Sequence, residues 1–159
     1  MVHYSVGGQR LRKEETLMSL ETVFSLCSGV ALLGWIGLVV APRWALARDI
    51  IPSVLAPLLL GSIYASLMFA FSNDAPSEGG FDTLESVKVL FGVDGLLLAG
   101  WIHYLAFDLF VGGWIVRDSQ EHEISHLLVV PCLFFTLMTG PFGLLIYLGL
   151  RQAKRLTAS

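Results

Sequence analysis

The chain has 159 residues, 55% of them hydrophobic and 14% charged, with a mean hydropathy of +0.71. A soluble domain carries about 25% charged residues, so a water-exposed globular fold is argued against. The net charge of −3 and the scattered Lys and Arg likewise argue against a nucleic-acid-binding surface. Charged residues cluster between four long apolar stretches, which predicts an all-α, polytopic membrane protein with four transmembrane helices in a compact bundle.

Residues 1–17 are polar and precede Met18-Ser-Leu-Glu, so Met18 is an alternative start. The extension does not read as a secretory signal, because the apolar run after it is as long as a bilayer is thick. It does not read as an organelle transit peptide either, being short and carrying acidic residues. That favours a bacterial plasma or thylakoid membrane. Residues 18–155 read as one membrane domain and 156–159 as a tail.

The first span covers about Leu20 to Val40 and stops at Pro42-Arg43, with Trp35 and Trp44 suited to the headgroup level. The second runs from about Ile50 to Phe71, with Pro52 tolerated near its start and a kink expected at Pro57. After the polar loop SNDAPSEGG, Asp82-Thr-Leu-Glu85 has capping-box spacing and Leu84, Val87 and Phe91 share a face, which predicts a short interfacial helix. The third span runs from about Val93 to Val116. The fourth, Leu127 to Leu150, contains Pro131 and the sequence TGPFG at 139–143. Each span holds a small-xxx-small pair (Ser25/Gly29, Gly61/Ala65, Gly95/Ala99, Thr136/Gly140) of the kind that lets helices approach closely in lipid. With four spans, seven Lys and Arg fall on the side of the termini and three on the other, which places both termini in the cytoplasm. Cys27 and Cys132 lie in apolar stretches and read as buried thiols.

Ionisable side chains inside a span are costly and are usually kept for function, and the third span holds Asp94, His103 and Asp108. At about 100° per residue, Asp94, Trp101, Asp108 and Gly112 fall on one face, and His103, Phe107, Phe110, Trp114 and Arg117 roughly on the other. Any one of the three ionisable groups is most simply a hydrogen-bonded packing group; together they point to a site. His122-Glu123-Ile124-Ser125-His126 spells H-E-x-x-H, the spacing of zinc-binding imidazoles on one helix turn. No further motif marks a third ligand, so the segment reads as an acidic helix start at the membrane surface, with a zinc-dependent intramembrane hydrolase as a minor alternative.

The strings GWIHYLAFDLFVGGWIVRDSQ at 100–120 and HLLVVPCLFFTLMTGPFGLLIYLGLR at 126–151, with MSLETVFSL at 18–26 and APRW at 41–44, resemble the abscisic acid deficient four-like (neoxanthin synthase-like) integral membrane family. The resemblance runs from about Met18 to Arg155. His126 fits the family pattern, whereas His122 and Glu123 fall where members vary, which makes H-E-x-x-H accidental. Gly113 stands where the pattern has a larger, often charged residue.

The resemblance implies a membrane-embedded carotenoid isomerase that opens a 5,6-epoxide to an allenic alcohol. That step is redox-neutral and needs an acid and a base but no cofactor. Asp108 and His103 are the expected acid/base pair, with Asp94 and His126 as further acid/base or orienting groups. Trp101, Phe107, Phe110, Trp114 and Arg117 are expected to line a channel for a long conjugated ligand; no metal is expected. The implied partners are the bilayer and a hydrophobic carotenoid or isoprenoid, and a homo-oligomer is compatible with the pattern. A noncatalytic carotenoid-binding or scaffold protein is the alternative from another class. A transporter is weaker, since four spans complete a pathway only as an oligomer and no inverted repeat is visible.

Overall fold

The computed structural model describes residues 4–158, and the side chains of residues 15–157. Helix α1, Tyr4–Val40, runs unbroken through the polar extension and the first apolar stretch; Pro42, which cannot donate to a helical ladder, follows its end. Helix α2, Ala56–Ala70, is preceded without a break by a π-helical run, Leu46–Leu55. Pro52 and Pro57 supply the cause: neither has an N–H, and the Ala56 N–H reaches back five residues to the Ile51 carbonyl,. The irregularity is therefore a widened run ahead of Pro57. Helix α3, Leu84–Leu90, is capped by Thr83, whose hydroxyl accepts from the Ser86 N–H at 3.1 Å. The cap sits one residue after the expected Asp82. Phe81 and Leu84 beside it are exposed, as an interfacial helix requires.

Helix α4, Asp94–Glu121, has 28 residues, about 42 Å of helix, and α1, the π-helical run, α2, α5 and α6 all pack on it. Its glycines receive knobs from two neighbours. A Cβ on Gly112 would lie 2.7 Å from the Trp35 ring of α1, and one on Gly113 2.5 Å from Pro52. Gly34 of α1 takes Leu109 in the same way, and Phe71 closes over Gly95. These contacts make α1 parallel and α2 antiparallel to α4. Trp35 is accordingly a buried core residue, not a headgroup anchor, while Trp44 is exposed. Two of the expected small-residue pairs do not work as contacts, since a Cβ on Gly29 or Gly61 would meet nothing within 4 Å.

Three helices are long and apolar enough to cross a membrane: Glu15–Val40, Leu46–Ala70 and Asp94–Glu121. The expected fourth span is instead two helices, α5 (His126–Thr139, 14 residues) and α6 (Pro141–Ala158, 18 residues), separated at Gly140. They fold back on each other. A Cβ on Gly143 would overlap the Thr136 backbone and hydroxyl, and Arg151 of α6 returns to Asp118 near the end of α4, at 2.9 Å. Fourteen residues rise about 21 Å, short of a hydrocarbon core of about 30 Å, so α5 and α6 make a helical hairpin that packs one face, with Val129, Leu133 and Tyr147, on protein and leaves the other, with Phe134, Met138, Phe142 and Leu145, exposed.

The hairpin returns the chain to the end at which α4 finished. The two ends of the described chain therefore lie at opposite ends of the helical body, an arrangement that does not support the expectation that both termini share a side. Arg43, Arg48, Arg117, Arg151, Lys154 and Arg155 gather at the C-terminal end, against Arg10, Arg12, Lys13 and Lys88 at the other.

Candidate functional site

Because the hairpin turns back at Gly140, it stops short of the first half of α4, and the face carrying Asp94 and Trp101 is left to α1. Between α1 and α4 lies a cleft of about 340 Å³ lined by Glu21, Phe24, Asp94, Leu97 and Trp101, among others. Its polar mouth carries two carboxylates from different helices, and its wall is an aromatic ladder. Phe24 and Tyr104 flank Trp101 with ring centroids 5.7 and 5.4 Å away, and the indole N–H donates to the Ser28 hydroxyl at 3.2 Å. The Tyr104 hydroxyl donates to the Leu137 carbonyl near the end of α5, at 2.8 Å, and lies beside Asp108. The ladder thus leads from the mouth to the hairpin tip.

Asp108 sits half-way along α4, about 21 Å from Asp94 along the axis, and is half-buried. It faces Gly140, where a Cβ would lie 2.9 Å from Oδ1 and 3.1 Å from Oδ2. Gly140 has φ 53° and ψ −99°, a conformation that side chains oppose; Pro141 then opens α6, where its missing N–H is not needed. The Asp108 Oδ2 is buried without a hydrogen-bond partner, an arrangement that is costly in a membrane interior.

His103 points the other way, toward α2. It stacks on Phe107 at 4.5 Å and tilts against Tyr64 at 5.6 Å. His103 lines a recess with Tyr64, Met68 and Phe91, and Phe107 and Phe110 line the next one along the α2–α4 seam with Pro57 and Gly61. Five residues of α-helix turn about 140° past a full revolution, so His103 and Asp108 do not face one hollow. Trp114 packs edge-on against Tyr147 at 5.7 Å. Arg117 is tied to the Arg48 carbonyl at 3.0 Å and the Ser53 hydroxyl at 2.7 Å. His126 bonds the Val39 carbonyl through Nε2 at 2.9 Å. The structure therefore joins Asp94 and Trp101 in one cleft, with Asp108 two turns further along α4 behind the Trp101–Tyr104 stack,, and sets His103, Phe107 and Phe110 along another seam. His126, Trp114 and Arg117 stay apart from both.

The H-E-x-x-H segment does not form one helical turn. His122 caps the end of α4, Glu123 has φ 51°, and His126 opens α5. The two imidazoles bond different partners, His122 Nδ1 reaching the Asp118 carbonyl at 2.8 Å and His126 the Val39 carbonyl, so the zinc-hydrolase alternative loses its geometric basis. Asp118, Glu121 and His122 do bring ligand atoms within 4.8 Å of one another. The Asp118 carboxylate, however, already pairs with Arg151 and accepts from the Tyr147 hydroxyl, so a cation would compete with a buried ion pair. This cluster escaped the sequence reading, which took the segment around His122 and His126 for an acidic helix start at the membrane surface. The only trace was an Arg four residues after a Tyr at the end of the last apolar run. Glu21 and Tyr104 escaped too, because neither is unusual until α1 and α4 are set side by side.

The sequence model of the family described as ABA DEFICIENT 4-like matches residues 22–147. A curated relative, "Protein ABA DEFICIENT 4, chloroplastic" of Arabidopsis thaliana, is 25% identical over 131 residues, covering 79% of this chain and 60% of the relative. The chain thus spans about three-fifths of that relative's length. No solved structure matches it.

Proposed function

This chain belongs to the ABA DEFICIENT 4-like family, and on that premise we propose that it is a membrane-embedded xanthophyll isomerase working in the α1–α4 cleft. The observation that carries the reading is Asp108: a mid-membrane carboxyl group with an unpartnered oxygen, held at the hairpin tip at the foot of an aromatic ladder. The rings of Phe24, Trp101 and Tyr104 offer π-faces to a conjugated chain, and Glu21 and Asp94 offer hydrogen-bond partners to a polar end at the mouth.

The step needs one proton given and one taken. In its acid form Asp108 protonates the epoxide oxygen through one carboxyl oxygen as the ring carbon–oxygen bond opens. Its other oxygen takes the proton released from the adjacent polyene carbon as the allene forms. The carboxyl group ends as it began, no electron leaves or enters, and the product is an isomer of the substrate. His103, on the far side of α4, is not required for this step.

The test is pigment analysis in a host that accumulates violaxanthin, with and without the gene. Wild-type protein is expected to deplete violaxanthin and form an allenic isomer. Asp108→Asn is expected to accumulate in the membrane, co-purify with pigment and form no product, while His103→Gln retains conversion. Unchanged pigments in violaxanthin, zeaxanthin and β-carotene backgrounds would sink the enzymatic reading. The second reading, a carotenoid-binding protein without turnover, draws on the other aromatic seam at His103, Phe107 and Phe110; pigment co-purification without any conversion would select it.

A further inference from the structure

We infer that the hollow at the C-terminal end of α4 binds the headgroup of a zwitterionic phospholipid that carries a primary ammonium beside its phosphate. Between the α1–α2 connection and the α4–α5 turn lies a recess of about 770 Å³. Most polar side chains in its wall are already committed. Arg48 makes two bonds to Asp49 and one to Gln120 Oε1, Gln120 Nε2 donates to the Pro42 carbonyl, and Ser119 donates to the Val116 carbonyl. His126 spends Nε2 on Val39.

Among the described residues, two charged groups of the wall are not committed: Arg43 and Glu123. They line the same hollow with opposite signs, and neither forms an ion pair with the other or with a neighbour. Beside them Ser125, at the start of α5 in the wall of the recess, makes no side-chain capping bond.

This arrangement discriminates among occupants. A phosphate is satisfied by a guanidinium, with support from the positive end of α5. An anion alone would leave Glu123 beside like charge, and an uncharged group would leave both side chains without a counter-charge. A phosphate with an attached ammonium satisfies the two together. Leu127 in the wall is exposed, and so are its chain neighbour Leu128 and, next to Arg43, Trp44, which suits a headgroup whose tails remain in the hydrocarbon. Glu123 also holds φ 51° at the end of α4, where glycine is the residue the backbone favours; the carboxylate at that position serves the hollow and not the turn.

The test uses the full chain, solubilised and stripped of lipid, with its thermal unfolding midpoint followed during titration with phosphatidylethanolamine, phosphatidylglycerol or soluble phosphoethanolamine. Phosphatidylethanolamine is expected to act at a concentration about tenfold lower than phosphatidylglycerol, the worth of one charge-assisted contact. Arg43→Gln and Glu123→Gln are each expected to abolish that preference, and Lys154→Gln, at the same end but outside the recess, to leave it intact. Glu123→Gly separates recognition from folding, since it is expected to lose the preference without losing stability. Equal responses to the two lipids, or an undiminished preference in Glu123→Gln, would overturn the assignment. A response to soluble phosphoethanolamine with no selectivity between lipids would assign the hollow to a free phosphoamine and overturn the lipid reading.

Discussion

Replacing Gly140 by alanine strikes the hairpin tip at two points at once. The backbone there, at φ 53° and ψ −99°, opposes a Cβ by about 2 kcal/mol. The new methyl would sit 2.9 and 3.1 Å from the two Asp108 oxygens, a crowded contact that costs about 1 kcal/mol more as the carboxyl group retreats. The expected total is therefore about 3 kcal/mol, read as a shift in reversible unfolding by sodium dodecyl sulfate titration of protein in mixed micelles. Gly149→Ala is the matched control. A Cβ there meets nothing within 4 Å, and the change is expected to stabilise α6 by up to about 1 kcal/mol. Removing the crowding partner, in Gly140→Ala with Asp108→Ala, is expected to return about 1 kcal/mol and leave the backbone strain. If Gly140→Ala unfolds with wild-type stability, the chain does not turn back at this residue, and the site built on that turn goes with it.

Reporter fusions at the two termini are expected to fall on opposite sides of the membrane, and same-side reporters would restore a fourth crossing in place of the hairpin. Arg151→Met leaves the buried Asp118 carboxylate without its cation and is expected to cost about 3 kcal/mol, most of it recovered by adding Asp118→Asn. A loss of under 0.5 kcal/mol, the ordinary range for surface changes, would mean that the pair does not hold the base of the hairpin. Glu123→Gly relieves a left-handed backbone and is expected to gain about 1 kcal/mol in the same unfolding assay; destabilisation would show that the side chain, not the turn, governs this corner.

The sequence made α4 legible in detail because a helix has one period and a polar residue in lipid is conspicuous. The separation of Asp94 and Trp101 from His103, Phe107 and Phe110 follows from 3.6 residues per turn and reappears in the cavities they line,. The end of the chain was opaque for a physical reason. The stretch from Leu127 to Leu150 is as apolar and as long as a span, and hydropathy cannot distinguish a helix that crosses from two that meet at mid-depth. What decides is a positive φ at Gly140 and an ion pair from Arg151 to Asp118, and both exist only in three dimensions. Trp35 misled for a similar reason: an indole suits either a headgroup region or a glycine-lined core, and only Gly112 opposite selects the core. In H-E-x-x-H, the letters fit a zinc helix while the backbone turns a corner between them.

Phe24 and Trp101 are each 40% exposed on the cleft beside α1, on a flank that would meet acyl chains and not water. A molecule reaching Tyr104 from that flank arrives by lateral diffusion within the leaflet. Occupancy then tracks the number of ligand molecules per lipid, and molarity in the surrounding solution loses its meaning. Diluting the protein's membrane with inert lipid at fixed total ligand would slow such a process, whereas diluting the whole suspension with buffer would leave it untouched.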